Sequence, residues 1–300
     1  MIEFLLGLLV VEGVLRLKER GTLHFDVEKY PFYRRMKNAR GRDPYFVERE
    51  GRENTAIMRT YSEGIRSNIA AEKRPIILTL GCSFAEGAAM TDEETFSGYL
   101  ERFLGNKYGV VNAGIGGYGP FQISRMLADL SRYNPKIAVV QLLDFKRVPI
   151  DFRKIARARK ELQRSQRLKR ISMIAWHVAK LFNRFAGVRS AYVVRNYTAE
   201  QLWNVNKRYL DEMKNVCKKI QLVLFVWPYN DPSILHNGFL HEKVKDYCAK
   251  NNILSFDARG IYTHYNDAEL QLKNDAHPNK FANRLIAKAA WKCLERNGLI

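Results

Sequence analysis

The sequence lacks an apolar run of the roughly 20 residues that a bilayer span needs, has no tract of low complexity, and is short of acidic groups. Each shortage removes a class of protein. The four cysteines, Cys82, Cys217, Cys248 and Cys293, make no CxxC pair and no zinc-type spacing with the six histidines, so neither a metal site nor a disulfide framework is implied. No cofactor is implied either, because the glycine-rich segments fit neither GxGxxG nor a P-loop, whose lysine is missing. What is present is enough apolar surface for a core: 46% hydrophobic and 12% aromatic residues exclude a disordered chain. Lys and Arg number 50 against 31 Asp and Glu, a net charge of +19. Such a field attracts phosphate backbones, anionic lipid or acidic glycans without choosing among them. At 300 residues, one large domain with insertions and two ordinary domains are both open.

Residues 4–17 form the longest apolar run, interrupted by Glu12 and followed by Lys18, Glu19 and Arg20. A cleaved secretory signal carries its positive charge first, whereas Glu3 precedes this run. Residues 1–20 therefore read as a tilted or truncated membrane anchor, an interfacial helix, or a helix packed on the domain. If the run spans, Lys18, Arg20, Arg34 and Arg35 favour keeping the following chain on the cytoplasmic side. Residues 21–74 are Arg-rich and lack long periodic segments, which reads as an extended lead-in wrapping a later domain.

From Pro75 short apolar runs alternate with helical patterns. Strands are expected at Ile76 to Leu80, Tyr108 to Asn112, Ile137 to Leu143, Gln221 to Trp227 and Ile253 to Phe256. Helices fall between them, near 120–133, 198–219 and 237–250, with a last one at 279–296. Such alternation predicts an α/β domain over 75–300, with a doubly wound, mainly parallel five-stranded sheet covered on both faces. The stretch 150–195 is too long for an ordinary connection and reads as a helical insert. Its first half, Arg153 to Arg170, holds nine basic residues and one acidic, Glu161. Its second half sets Ile171, Ile174, Ala175, Val178, Leu181, Phe182 and Phe185 on one helical face. Basic residues beside an apolar stripe suit an anionic membrane surface; the same stripe also suits packing on a core.

Ligands of open α/β sheets bind beyond the carboxyl ends of the strands. After the first strand, Gly81-Cys82-Ser83-Phe84-Ala85-Glu86-Gly87 sets a serine in a strand-to-helix turn, as a nucleophile or simply a helix cap. After the second, residues 112–120 carry four glycines within six positions, which lets backbone N–H groups approach an oxyanion or phosphate. Near the end, Asn274-Asp275-Ala276-His277-Pro278 places a carboxylate two residues before a histidine, a base with its orienting acid or a structural pair.

In that order and spacing the three segments resemble the SGNH, or GDSL-type, hydrolase superfamily over about residues 55–297. Tyr61-Ser62-Glu63-Gly64-Ile65-Arg66, and the run Thr91, Glu94, Thr95, Phe96, are similar to its membrane-anchored bacterial members. The resemblance implies an SGNH, flavodoxin-like three-layer sandwich. It implies Ser83 as nucleophile, His277 as base, Asp275 as orienting acid, and an oxyanion hole from Ser83, Gly117 and a third-block residue at Asp144. The pattern departs from the family in three places: Cys82 replaces the usual aspartate, the carboxylate stands two rather than three residues before the histidine, and Asp144 stands near an asparagine. An ionised carboxylate there offers the oxyanion no donor. The resemblance implies a serine esterase acting on O-acyl groups, of a carbohydrate or glycolipid among other substrates, with an acyltransferase of the same fold as the alternative. A catalytically silent member that binds a polyanion or membrane is the rival from another class. The basic residues carry no nucleic-acid motif, which disfavours a nucleic-acid partner.

Overall fold

The structure is a computed structural model of the 300-residue chain. It describes residues 2–19, 25–29, 32–143, 145, 160, 164, 167–169, 171–181, 197–227 and 237–300. The chain opens with helix α1 (Ile2–Glu19) and an antiparallel ribbon of β1 (Phe25–Lys29) and β2 (Phe32–Arg35). A second ribbon, β3 (Arg40–Gly41) with β4 (Met58–Arg59), brackets helix α2 (Pro44–Glu50). Asp43 starts α2 by accepting the Tyr45 N–H at 2.8 Å, and Pro44 supplies the pre-set φ of its first turn. The expected extended lead-in is thus corrected. Its described residues fold into ribbons and a capped helix, elements too short to show a period in the sequence.

The alternating part follows as β5 (Ile76–Leu80), α3 (Ser83–Glu86), α4 (Phe96–Leu104), β6 (Gly109–Asn112), α5 (Pro120–Leu130) and β7 (Ile137–Leu142). Next come α6 (Met173–Leu181), α7 (Ala199–Val216), β8 (Gln221–Val226), α8 (Asn237–Lys250) and β9 (Leu254–Asp257). A small hairpin of β10 (Gln271–Leu272) and β11 (Asp275–Pro278) leads into the last helix, α9 (Lys280–Arg296). The five central strands pair in parallel in the order β6-β5-β7-β8-β9. The α/β doubly wound sheet is as the sequence predicts, with ends displaced by a residue or so.

Strand side chains alternate across the sheet. Leu78 and Leu80 join Val140 and Leu224 against α5, α7 and α8, through Met126, Leu127, Leu210, Met213 and Val244. Ile77, Val139 and Phe225 pack on the other face against Leu100 of α4 and Ile286 and Ala290 of α9. With both faces covered, the inner strands are continuous apolar runs, which is why the sequence shows them so clearly. From β5 the chain moves outward to β6 and then crosses to β7 on the opposite side. The carboxyl ends of β5 and β7 therefore bound the switch-point crevice.

Within the expected insert, the described residues include α6, and α1 lies against it. Glu12, the charge that interrupts the apolar run, accepts the N–H groups of Met173 at 2.8 Å and Ile174 at 3.0 Å, capping α6. These two amides hold its carboxyl down to about 2, and Arg16 pairs with it at 2.7 Å. Of the expected stripe, Ile171 and Val178 are exposed, Ile174 and Ala175 half-buried; Phe182 and Phe185 lie outside the described residues. No helix of the described residues is long and apolar enough to cross a membrane.

The lead-in is fastened to the sheet by buried charge. Arg35, 2% exposed, donates to Glu86 of α3 from Nε at 2.6 Å and Nη2 at 3.0 Å, and also pairs with Asp43. Arg66 reaches the same turn, donating to the carbonyls of Glu86, Gly87 and Met90. Replacing Arg35 with Met would leave the Glu86 and Asp43 carboxylates buried without their counter-charge. A loss of about 3–5 kcal/mol in unfolding free energy, read from the urea midpoint, is expected.

Candidate active site

Ser83 is the first residue of α3, directly beyond the carboxyl end of β5. Its N–H occupies the opening position of that turn, where no intrahelical acceptor exists. The turn is pinned from β7: Gln141, 3% exposed, accepts the Ala85 N–H on its Oε1 at 3.0 Å. The second glycine-rich segment lies against the same turn. Asn112 accepts the Gly114 N–H at 3.1 Å and donates to the Glu86 carbonyl at 3.3 Å, while Gly116 donates to Glu86 Oε2 at 2.9 Å. Gly114 must be glycine, since a Cβ there would stand 2.3 Å from the Glu86 backbone nitrogen. Gly117 is half-buried and takes φ +85°, a left-handed turn that glycine accepts without strain.

Pro278 ends β11 and Asn279 caps α9, so His277 is delivered to the crevice by a short strand ahead of a helix. Its Nε2 is 2.7 Å from Ser83 Oγ. Its Nδ1 bonds Asp275 Oδ1, and the same oxygen accepts the His277 backbone N–H at 3.0 Å. The two-residue spacing is therefore an Asx-type turn. The carboxylate closes on the backbone two residues ahead and so presents itself to the ring of the same residue. Asn274 is engaged elsewhere, donating from its backbone to Glu50 at 2.9 Å and from Nδ2 to the Arg49 carbonyl at 3.1 Å. Burial pushes the Asp275 carboxyl up, but hydrogen bonding and charge from His277, then the Tyr45 hydroxyl, outweigh it and hold it at about 2. Asp275 is therefore an anion at any ordinary pH.

Of the residues singled out from the sequence, Ser83, His277 and Asp275 come together in one hydrogen-bonded chain. Asp144 lies outside the described residues; its neighbours Leu143 and Phe145 are buried in the core. Cys82 is buried with its Sγ 3.7 Å from Gln141 Oε1. Among the described residues no cluster of His, Cys, Asp and Glu could hold a metal ion.

Sequence reasoning missed the contribution of α2. Tyr45 donates its hydroxyl to Asp275 Oδ2 at 2.8 Å, and Arg49 Nε stands 3.2 Å from the same oxygen. The imidazole packs against the rings of Phe46 and Phe84, at centroid distances of 5.0 and 4.8 Å. The Asp43-Pro44 start of α2 is legible as a helix signal, but nothing local joins Tyr45 to a carboxylate 230 positions away.

No family model matches the chain, and no curated protein matches it. Solved structures similar to it include a protein of the G-D-S-L lipolytic family from Desulfitobacterium hafniense, 16% identical, TM-score 0.48, covering 74% of this chain and 100% of that one. Another is a carbohydrate acetylesterase family member from Sinorhizobium meliloti, 12% identical, TM-score 0.45, covering 75% and 99%. A third is a family 3 carbohydrate esterase from Clostridium thermocellum, 13% identical, TM-score 0.48, covering 75% and 97%. The site's own geometry carries the chemistry.

Gly114→Ala forces the glycine-rich segment off the Ser83 turn, and we expect it to destabilise the fold by about 1–3 kcal/mol in urea unfolding. Gly260→Ala, in a helical turn with nothing within 4 Å of the new Cβ, is the control and should cost no stability.

Proposed function

We propose that the protein is a serine ester hydrolase that removes O-acyl groups through an acyl-enzyme. The observation that carries the reading is the continuous chain from Ser83 Oγ through the His277 imidazole to the ionised Asp275, set at the switch-point crevice. Ser83 Oγ bonds to the acyl carbon as its proton passes to His277 Nε2. The alcohol then leaves with that proton, and a water, deprotonated by the same nitrogen, releases the acid and restores Ser83. Asp275 keeps Nδ1 protonated, so that Nε2 is the acceptor, and stabilises the imidazolium. The Ser83 amide is the first oxyanion donor and Gly117, by the family resemblance, the second. The positive field of the chain suits an acidic or lipid-linked acylated glycan as substrate.

A fluorophosphonate reports an activated serine without knowledge of the substrate. Parent protein should be labelled at Ser83 and should hydrolyse a short-chain aryl ester; Ser83→Ala should do neither, and Asp275→Asn should cut kcat by about 10³- to 10⁴-fold. Absence of labelling in folded parent protein overturns the reading in favour of a silent, binding member.

The reading places this chemistry at an anionic membrane surface. With Glu12 consumed in capping α6, the helix pair α1 and α6 leaves Leu9, Val10, Val14 and Leu17 of α1 and Ile171 in solvent, Leu9 at 67% and Ile171 at 77% exposure. Exposed Arg16, Lys160, Arg164 and Arg167 carry the charge that anionic headgroups attract. Parent protein should sediment with phosphatidylglycerol vesicles at low salt and be released by salt, and Leu9→Glu with Ile171→Glu should abolish sedimentation. Parent protein that stays in the supernatant overturns the membrane placement.

A further inference from the structure

The esterase reading assigns Ser83, His277 and Asp275, but it leaves unexplained why the lead-in should place a tyrosine and an arginine on the far oxygen of the acid. Asp275 is a desolvated carboxylate, its side chain 7% exposed, and its two oxygens have separate duties. Oδ1 serves the imidazole and the His277 backbone. Oδ2 faces α2, where Tyr45 OH donates at 2.8 Å and Arg49 Nε approaches to 3.2 Å. Arg49 also lies over the Tyr45 ring, 3.8 Å from its centroid, so its planar group braces the phenol that makes the shorter contact. Glu50 and the Arg49 carbonyl hold Asn274, the residue before the acid, from the same helix.

Helix α2 is itself held by the nucleophile's own turn. Its cap, Asp43, pairs with Arg35, and Arg35 pairs with Glu86, the last residue of α3, whose first is Ser83. The polar contacts thus close on themselves: Ser83 and Glu86 at the ends of α3, then Arg35, Asp43, Tyr45 across α2, Asp275, His277, and back to Ser83 Oγ. A contact that merely glued the lead-in to the surface would have no reason to end on the one oxygen that orients the acid.

We infer that Tyr45, braced by Arg49, is a positioning residue of the active centre: it fixes the Asp275 carboxylate in the plane and orientation that its other oxygen needs for the His277 Nδ1–H. The inference rests on the esterase reading for its kinetic consequence, and on the Tyr45–Asp275 contact alone for its structural one. Hydrogen bonds to a charged group are among the stronger ones in proteins, and removing an orienting partner one step behind a catalytic ligand typically costs about 10- to 100-fold. Tyr45→Phe keeps the ring that packs on Phe46 and loses only the donor, so the fold should survive.

The test combines kinetics with proton NMR. Tyr45→Phe should lower kcat on an aryl ester about 10- to 100-fold with KM changed less than about twofold, and Arg49→Gln should do the same to a smaller extent, with Arg49→Lys, which keeps the charge but loses the planar group over the ring, intermediate between Arg49→Gln and the parent. In an Asp275→Ala background, Tyr45→Phe should change kcat by less than about twofold, because its partner is already gone. Independently of activity, the low-field resonance of the His277 Nδ1 proton should be present in the parent, absent in Asp275→Ala, and shifted or broadened in Tyr45→Phe. Losses that multiply in the double variant, or a resonance unmoved by Tyr45→Phe, overturn the positioning role. A resonance moved by Tyr45→Phe, where the parent hydrolyses no ester and takes no fluorophosphonate, keeps the positioning role and removes only the esterase reading.

Discussion

The arrangement depends on one buried guanidinium. Arg35 is taken out of water almost completely, which is tolerable only because two carboxylates, Glu86 and Asp43, meet it directly. Their charge more than offsets the desolvation that pulls its proton affinity down, so Arg35 stays a cation. Glu86 is equally constrained, and it spends its oxygens on Arg35 and on the Gly116 amide. One ion pair therefore fixes three segments against one another: the lead-in ribbon, the helix that begins with Ser83, and the glycine-rich turn. A hydrophobic contact of similar size could hold them together but could not fix their register, since apolar packing is non-directional.

On that frame the chemistry needs little more. The parallel sheet brings β5 and β7 side by side where the chain reverses direction, and Gln141 on β7 holds the turn that follows β5. The Asx-type turn at Asp275 brings the acid to the imidazole without a long loop, and Phe46 and Phe84 pack against the ring. An imidazole packed against two aromatic rings and bonded to a carboxylate has few orientations open to it, which is what the proposed proton transfer to and from Ser83 requires. The α1 and α6 pair lies outside this machinery, and its design is separate: the α6 amides and Arg16 satisfy the Glu12 carboxylate that interrupts an otherwise aliphatic surface.

Much of this was legible in the sequence. The five strands announce themselves because strands covered on both faces must be apolar throughout, and Ile76 to Leu80 or Gln221 to Val226 can be little else. Serine after the first strand, glycines after the second and Asp-x-His before the last helix are local patterns, and each is formed by residues adjacent in the chain. The lead-in was not legible. Its ribbons are two to five residues long, and its helix α2 is shorter than the two turns that reveal a helical period.

The sequence by itself determined the alternation of elements, the class of fold, and the three short segments that carry Ser83, the glycine-rich turn, and Asp275 with His277. Only the tertiary structure decided that Arg35 and Asp43 answer Glu86, that Tyr45 and Arg49 stand on Asp275, and that Glu12 caps a helix in the insert. The physical reason is that apolar burial leaves a periodic trace along the chain, because each element must turn the same kind of side chain to the core at regular intervals. A buried charge or a hydroxyl leaves no such trace. It needs one partner at one distance, and which residue supplies it is settled only when the fold brings distant segments into contact.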